Sequence, residues 1–367
     1  MRIIHIIPTL GGGGAERFVV DLVNEQAKGH EVILCTLYHL TALGYDYFLT
    51  EVSENVRLIS LGKSLGLDLK IYQQVRSTLK SVRPDIVHTH LNSINYVFPF
   101  SGFFPRISFY HTIHSNAQFE IKHPLEFKTR RFLYKKKWIQ PITISGQSQK
   151  SFRNYYQIQV DKLIYNGRKA PAPEMDESVR QEILSHKPNH STRVLLHVGR
   201  FAGVKRQYFL AQAVDQLIRE GHDISLLFIG DFDSPEGQDI RRQIQGLMNP
   251  HIHLLGPRSR ITEYFRWADA MCISSENEGL PISFIEALSV GCIPISTPVG
   301  GLVDFISPQN GYLAADLSLG SYKKALLQFL RAENTDNMSA ANKELYESCF
   351  NIKTTAQEYL KLYASKR

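Results

Sequence analysis

The chain has 367 residues, 43% hydrophobic and 21% charged, which fits a globular protein with a substantial core and excludes global disorder. At roughly 150 residues per domain, the length predicts about two domains. The formal net charge of +7 is uneven: residues 1–169 carry 22 Lys/Arg against 12 Asp/Glu (+10), and residues 170–367 carry 20 against 23 (−3), so the first half is expected to meet something anionic.

The opening MRIIHIIPTL is too short an apolar stretch for a secretory signal and reads as a buried first strand. Short apolar runs at Arg2–Ile7, Glu31–Thr36, Val56–Leu61, Asp85–Thr89, Arg106–His111 and Ile139–Ile144 predict strands. Between them Ala15–Lys28, Asp68–Val82 and Pro124–Lys137 have helical spacing. Such alternation predicts a mostly parallel sheet covered on both faces. Leu163–Tyr165 adds a last strand, and Asn166-Gly167 reads as a turn. The stretch 94–110 is broken by Asn95, Pro99, Ser101, Pro105 and Arg106, so no run reaches the ~18 apolar residues that span a bilayer.

Residues 168–192 are polar and proline-containing and read as a connector. Alternation then restarts. Strands are predicted at Val194–Val198, Ile224–Ile229, His251–Leu255, Ala270–Ser274 and Ile293–Ser296. Helices are predicted at Lys205–Glu220, Gly237–Met248, Ile261–Trp267 and Pro281–Val290, then near Ser321–Arg331, Ser339–Ser348 and Ile352–Ala364. The expected fold is α/β, with two doubly wound units at 1–168 and 169–350 and a closing segment at 351–367. Ligands of such sheets bind at strand carboxyl ends where strand order reverses, and two facing units would form an interdomain cleft.

Several segments carry chemistry. Gly11-Gly12-Gly13-Gly14-Ala15-Glu16 follows the first strand, where glycines let a diphosphate approach a helix N-terminus. The spacing is not G-x-G-x-x-G, which disfavours a dinucleotide enzyme, and a plain tight turn is the competing reading. The richest segment is SSENEGLPISFIEALSVGCIPISTPVGG, Ser274 to Gly301. Pro281 is expected at the first helical position, with Gly291 closing the helix. Glu278 and Glu286 suit sugar and ribose hydroxyls, and the amides from Gly279 to Ile282 suit a diphosphate; two solvated glutamates are the bland alternative. Arg200 and Lys205 flank the loop after Val198 and suit phosphate oxygens, unless they are ordinary surface cations.

His88, His90, His111 and His114 cluster in sequence, without H-E-x-x-H spacing or a nearby acid, so no metal site is expected. A sugar-facing or a packed histidine are the alternatives. From Lys122 to Trp138, Lys122, Lys128, Arg130, Arg131, Lys135, Lys136 and Lys137 interleave with Phe127, Phe132, Leu133, Tyr134 and Trp138. That pattern suits either an anionic membrane surface or a solvated helix with its aromatics packed inward. The four dispersed cysteines, Cys35, Cys272, Cys292 and Cys349, point to a reducing cytoplasm rather than a disulfide framework. No nucleic-acid-binding signature accompanies the basic charge.

Taken in order, G-G-G-G-A-E, V-G-R-F-x-x-x-K-R, and S-x-x-E-G-L-P-x-x-x-x-E-A followed by the Gly300-Gly301 pair resemble the GT-B retaining glycosyltransferases with an E-x7-E motif. The resemblance implies two Rossmann-like domains, with a UDP- or GDP-sugar held mainly by the second and no metal or other cofactor. It implies that Glu286 binds the ribose and that Glu278, Gly279 and Leu280 lie beside the sugar. Arg200 and Lys205 would stabilise the leaving diphosphate, with Gly13 and Gly14 closing over it. His114 fits the sugar-facing histidine, with His111 as second choice, and Arg258 falls in the base-binding loop. No role carries over to Arg168, where the family often has an acid. The implied acceptor is a glycan or lipid-linked molecule of bacterial surface polysaccharide, at the cytoplasmic face of the membrane. A nucleotide-sugar epimerase and an inactive donor-binding subunit are the alternatives.

Overall fold

A computed structural model describes residues 1–40, 46–66, 68–121 and 123–365. Lys122 of the basic stretch, and residues 366–367 of the closing segment, lie outside the described residues. The chain divides into two compact units, one of Met1–Lys169 with Cys349–Arg367, the other of Ala170–Ser348.

The first unit is built on seven parallel strands: β1 (Arg2–Ile7), β2 (Glu31–Thr36), β3 (Val56–Ser60), β4 (Ile86–His90), β5 (Ser108–Ile113), β6 (Ile139–Thr143) and β7 (Lys162–Leu163). Their order is β3-β2-β1-β4-β5-β6-β7. The second unit holds β8 (Arg193–Val198), β9 (Ile224–Ile229), β10 (Ile252–Gly256), β11 (Ala270–Ile273), β12 (Ile293–Ser296) and β13 (Tyr312–Leu313), in the order β10-β9-β8-β11-β12-β13. Each unit therefore repeats one doubly wound plan. Chain direction across the sheet reverses between β1 and β4 in the first, and between β8 and β11 in the second, and such a reversal leaves a ligand crevice at the carboxyl ends. The central strands are buried on both faces, so they read as unbroken apolar runs rather than alternating ones.

Several sequence expectations are corrected. The 168–192 connector contains a helix, Glu177–Ser185: the Asp176 carboxylate accepts from the N–H groups of Ser178 and Val179, while Val179 and Ile183, four residues apart, are buried. A second helix, Gly146–Tyr156, was not expected; Ser145 and Ser148 form a reciprocal capping box, and Phe152 and Tyr156 anchor it inward. Pro281 is not the first helical residue. Its ψ of 132° is extended, so it stands at the N-cap position and the helix is Ile282–Val290. Strand β5 begins two residues later than expected, because Pro105 and Arg106 lie in the turn before it.

Arg168 has a structural task. Its guanidinium donates to Asp21 Oδ2 (2.5 Å) with both side chains buried, and its backbone bridges to Asn351. The closing helix, Ile352–Ala364, is thereby fastened to the first unit. Gly167 permits the approach, since a Cβ there would stand 2.5 Å from Thr355 Oγ1 and 3.0 Å from the Ile352 backbone.

Candidate functional site

In the second unit the site grows from the carboxyl ends of β8 and β11, the two strands that flank the reversal. After β8 the chain turns through Arg200 to Lys205, and after β11 it turns through Ser274 to Leu280. Hydrogen bonds lock these loops together. Ser274 Oγ donates to the Lys205 carbonyl (2.8 Å), and the Glu276 N–H donates to the Val204 carbonyl (2.8 Å). Thr297 Oγ1, following β12, donates to the Ser275 carbonyl (2.6 Å).

This scaffold places Lys205 Nζ 2.6 Å from Glu278 Oε1, and the same oxygen accepts from Ser275 Oγ at 2.6 Å. The Glu278 side chain is 9% exposed and that of Lys205 29%, so the pair is sheltered yet reachable from one side. A carboxylate is seldom buried unless paired in this way. Glu286 is also buried, at 8% exposure, on the second turn of the Ile282–Val290 helix. The Ile285 N–H donates to the Pro281 carbonyl (3.4 Å) at the start of that helix, and Pro281 has no N–H to contribute. Gly279 and Leu280 lead into this helix start.

Gly300 fixes the floor of the loop. Its φ is +55°, and a Cβ there would lie 2.2 Å from the Glu278 carbonyl oxygen. The neighbouring Gly301 N–H donates to the Gly279 carbonyl at 2.6 Å. Sequence reading quoted this glycine pair without seeing that it carries the Glu278 backbone; Ser275 and Thr297 were missed outright. His197 was missed as well. It lies buried on β8 with Nδ1 donating to the Cys272 carbonyl (3.0 Å), and burial brings its pKa down to about 4.

Arg200 is exposed beside this locus, and its carbonyl accepts from Gln207 Nε2 (2.9 Å). Arg258 follows β10, and its guanidinium is taken by Glu182 (2.8 Å) and the Leu255 carbonyl (2.5 Å), which ties the loop to the Glu177–Ser185 helix.

In the first unit the corresponding strand ends carry the glycines and histidines. The Gly13 carbonyl accepts from the Arg17 N–H (3.0 Å), and Gly14 opens the helix Gly14–Gln26. His114 lies just past β5, its N–H donating to Glu120 Oε1 (2.8 Å) and its Nε2 pairing with His90 Nδ1 (3.1 Å). His111 is fully buried, with Nδ1 2.9 Å from Thr89 Oγ1 and Nε2 3.5 Å from Glu120. Nitrogens of His5, His88 and His90 come within 4.8 Å of one another.

The basic stretch resolves into two faces. Leu133 and Tyr134 enter the core and Arg130 is buried against Glu126 and Glu120, while Leu125, Lys128, Phe132, Lys135, Lys136, Lys137 and Trp138 are exposed. No helix among the described residues is long and apolar enough to cross a membrane.

Two doubly wound parallel units are the architecture of the GT-B glycosyltransferases. The chain belongs to that group. Residues 12–168 match the family described as Glycosyltransferase Family 4, and residues 179–345 match Glycosyl transferases group 1. It is 24% identical over 375 residues to a Campylobacter jejuni α-1,4-N-acetyl-D-galactosaminyltransferase, named for an acceptor of the form GalNAc-GalNAc-diNAcBac-PP-undecaprenol, covering 99% of this chain and 98% of that protein. It is 27% identical over 178 residues to the N-acetyl-α-D-glucosaminyl L-malate synthase of Bacillus anthracis, covering 48% of this chain and 46% of that one. Among solved structures, Anabaena Alr3699/HepE in complex with UDP superposes with a TM-score of 0.80 at 18% identity, each chain covered in full.

Proposed function

We propose that this protein is a retaining, metal-independent glycosyltransferase. It moves a sugar from a UDP- or GDP-linked donor to a glycan or lipid-linked acceptor in bacterial surface-polysaccharide assembly, as in capsule, O-antigen or exopolysaccharide. The observation that carries this reading is the convergence of Lys205, Glu278 and the Ile282–Val290 helix start at the reversal point of the second sheet.

Arg200 and Lys205 offer positive charge where the leaving diphosphate develops negative charge, and the positive end of the Ile282–Val290 helix adds to it. Those cations do the work that a divalent ion would otherwise do. Glu286 takes the ribose hydroxyls. Glu278, oriented by Lys205 and Ser275, stands beside the donor sugar with the amides of Gly279 and Leu280. Arg258 lies in the loop that receives the base. In the transfer, the bond from the anomeric carbon to the diphosphate oxygen breaks, and the acceptor oxygen bonds to that carbon on the same face. The acceptor proton departs on the diphosphate, so a nucleoside diphosphate is the second product.

The acceptor reading is supported by the +10 charge of residues 1–169 and by the exposed lysines and aromatics of 123–138. These suit an acceptor held at the anionic cytoplasmic face of a membrane. A thermal-shift screen of UDP-, GDP- and ADP-sugars finds the donor, since a ligand at 100 times its Kd adds about 2.7 kcal/mol. With that donor, Glu286→Ala and Lys205→Ala are expected to lose transfer by more than about tenfold, or ~1.4 kcal/mol; rates within threefold of wild type sink the site. Donor converted without acceptor would mean an epimerase, and donor bound but never turned over would mean a binding subunit.

A further inference from the structure

The polar stretch after Lys169 reads as a connector in the sequence, yet its contacts fall on one place. Glu182, on the Glu177–Ser185 helix, accepts through Oε1 from Arg258 Nη2 (2.8 Å) and Nε (3.1 Å), and through Oε2 from the Tyr264 hydroxyl (2.5 Å). Asp176, the N-cap of that helix, takes the Arg260 guanidinium, and its N–H donates to Glu263 Oε2 (3.3 Å). Further back, the Ala172 carbonyl accepts from Arg266 Nη2 (2.8 Å). Residues 172–182 therefore brace 258–266, and all of them lie in the second unit.

The braced loop needs the support. It leaves the carboxyl end of β10 between two left-handed residues, Gly256 (φ +76°) and Arg260 (φ +55°). A residue other than glycine keeps such a φ only where its surroundings over-determine it, and Asp176 supplies that hold on Arg260. The Arg258 side chain is committed to the same task. Its Nη1 donates to the Leu255 (2.5 Å) and Pro257 (3.1 Å) carbonyls while Nε and Nη2 hold Glu182. What the loop has left to offer is peptide groups: among the described residues, no acceptor takes the N–H of Arg258 or of Ser259.

We propose that Glu182 and Asp176 are positioning residues that hold the Arg258–Ser259 peptide groups for the hydrogen-bonding edge of the donor's nucleobase, so that the Glu177–Ser185 helix sets base preference. The proposal rests on the reading of that loop as the one that receives the base. Groups that read a ligand by hydrogen bonds work only within about 0.5 Å of their productive placement. A site built to hydrogen-bond also rejects a partner that cannot pair. At 34% and 29% side-chain exposure the Arg258–Glu182 pair contributes little to stability, so what it fixes is geometry, and its loss leaves the fold standing.

The test is calorimetric titration of the full chain with UDP, GDP and ADP. Wild-type protein is expected to prefer one of the three. Glu182→Ala is expected to weaken the preferred diphosphate by about three- to tenfold, the net worth of a hydrogen bond, and to narrow the ratio between preferred and disfavoured bases. Glu182→Gln, which keeps an acceptor for Arg258, restores most of both. Asp176→Asn, which keeps the helix cap but loosens Arg260, narrows the ratio without endangering the fold. Lys205→Ala weakens all three diphosphates alike and leaves the ratio unchanged. Glu182→Ala and Asp176→Asn proteins that keep the wild-type ratio overturn the proposal and leave the glycosyltransferase reading intact. Equal affinity of the wild type for the three bases does the same. Wild-type protein that binds none of them overturns the donor-site reading, and this proposal with it.

Discussion

Lys205 Nζ donates to Glu278 Oε1 across 2.6 Å, joining two loops whose partners stand 73 positions apart in the chain. A carboxylate that already holds an ammonium and the Ser275 hydroxyl is arranged to orient a neighbour rather than to attack one. The lysine in turn is held at one point, so its charge is pre-positioned for a diphosphate and need not reorganise during reaction. Lys205→Ala is therefore expected to lower kcat/KM by about 10²–10³, the typical cost of deleting one donor aimed at a developing anion. Lys205→Arg should recover part of that loss. Steady-state kinetics at saturating acceptor decides it, and an unchanged kcat for Lys205→Ala would move the diphosphate site elsewhere.

The Gly300 backbone predicts a second effect. Alanine there meets both a left-handed φ of +55° and the Glu278 carbonyl oxygen at 2.2 Å. Strain of this kind costs about 1–3 kcal/mol, and relief requires the Glu278 segment to move. Gly300→Ala is expected to lower the melting temperature and to raise the donor KM together. Gly66→Ala also has a left-handed φ, +76°, but meets open space; it should melt earlier without touching the KM.

The sheets were legible because doubly buried parallel strands leave continuous apolar runs, and β1, β2, β9 and β12 fall where their runs predicted. The Ser274–Gly301 segment was legible because glycine, proline and paired acids punctuate it. What spacing does not encode is contact. Lys205 and Glu278 were each singled out, yet nothing in a 73-residue separation says that they touch. Gly300 likewise was only the end of a motif, whereas in the structure it lies against the Glu278 carbonyl of another loop. The Glu177–Ser185 helix escaped because three apolar residues in a polar stretch are a faint signal, and only burial of Val179 and Ile183 gives it weight. His5 looked like any strand residue until the β1–β4 pairing set it opposite His88.

The exposed face of 123–138 predicts vesicle binding. Phe132 and Trp138 meet edge to face with ring centroids 5.6 Å apart, both about half exposed, and the Trp138 ring packs near Gly102, next to the exposed Phe103. Lys128, Lys135, Lys136 and Lys137 surround them and form no ion pair among the described residues. Each lysine close to an anionic surface contributes about 1 kcal/mol, so Lys135→Glu, Lys136→Glu and Lys137→Glu combined should weaken sedimentation with phosphatidylglycerol vesicles by about 10² or more. Salt should weaken it too, while Phe132→Ser and Trp138→Ser should act even at high salt. Wild-type protein that fails to sediment at low salt would leave this face as ordinary solvated surface.

Acid should loosen both units before carboxylates matter, since burial lowers His197 of the second unit to about 4 as it lowers the first unit's histidines. His5 titrates at about 4 when folded against 6.5 ordinarily, because burial penalises its charged form. His88, His90, His111 and His114 are lowered by the same cause, around a centre whose charged neighbours are Glu120 and Arg130. A depressed histidine pKa means that the unfolded chain binds the extra proton first. Stability is therefore whole above about pH 6.5 and falls as pH drops towards 4, by about 3 kcal/mol for His5 alone at the end of that window. Paired carboxylates such as Glu51 and Glu182, also lowered when folded, begin to matter only near and below their own ordinary 4.5. Melting curves between pH 7.5 and 5 thus isolate the histidines. The expected result is a steady fall in melting temperature across that range, with a shallower slope in His5→Gln measured against its own value at pH 7.5. A flat profile to pH 5 would mean that these rings accept protons inside the folded unit and that burial does not hold them neutral.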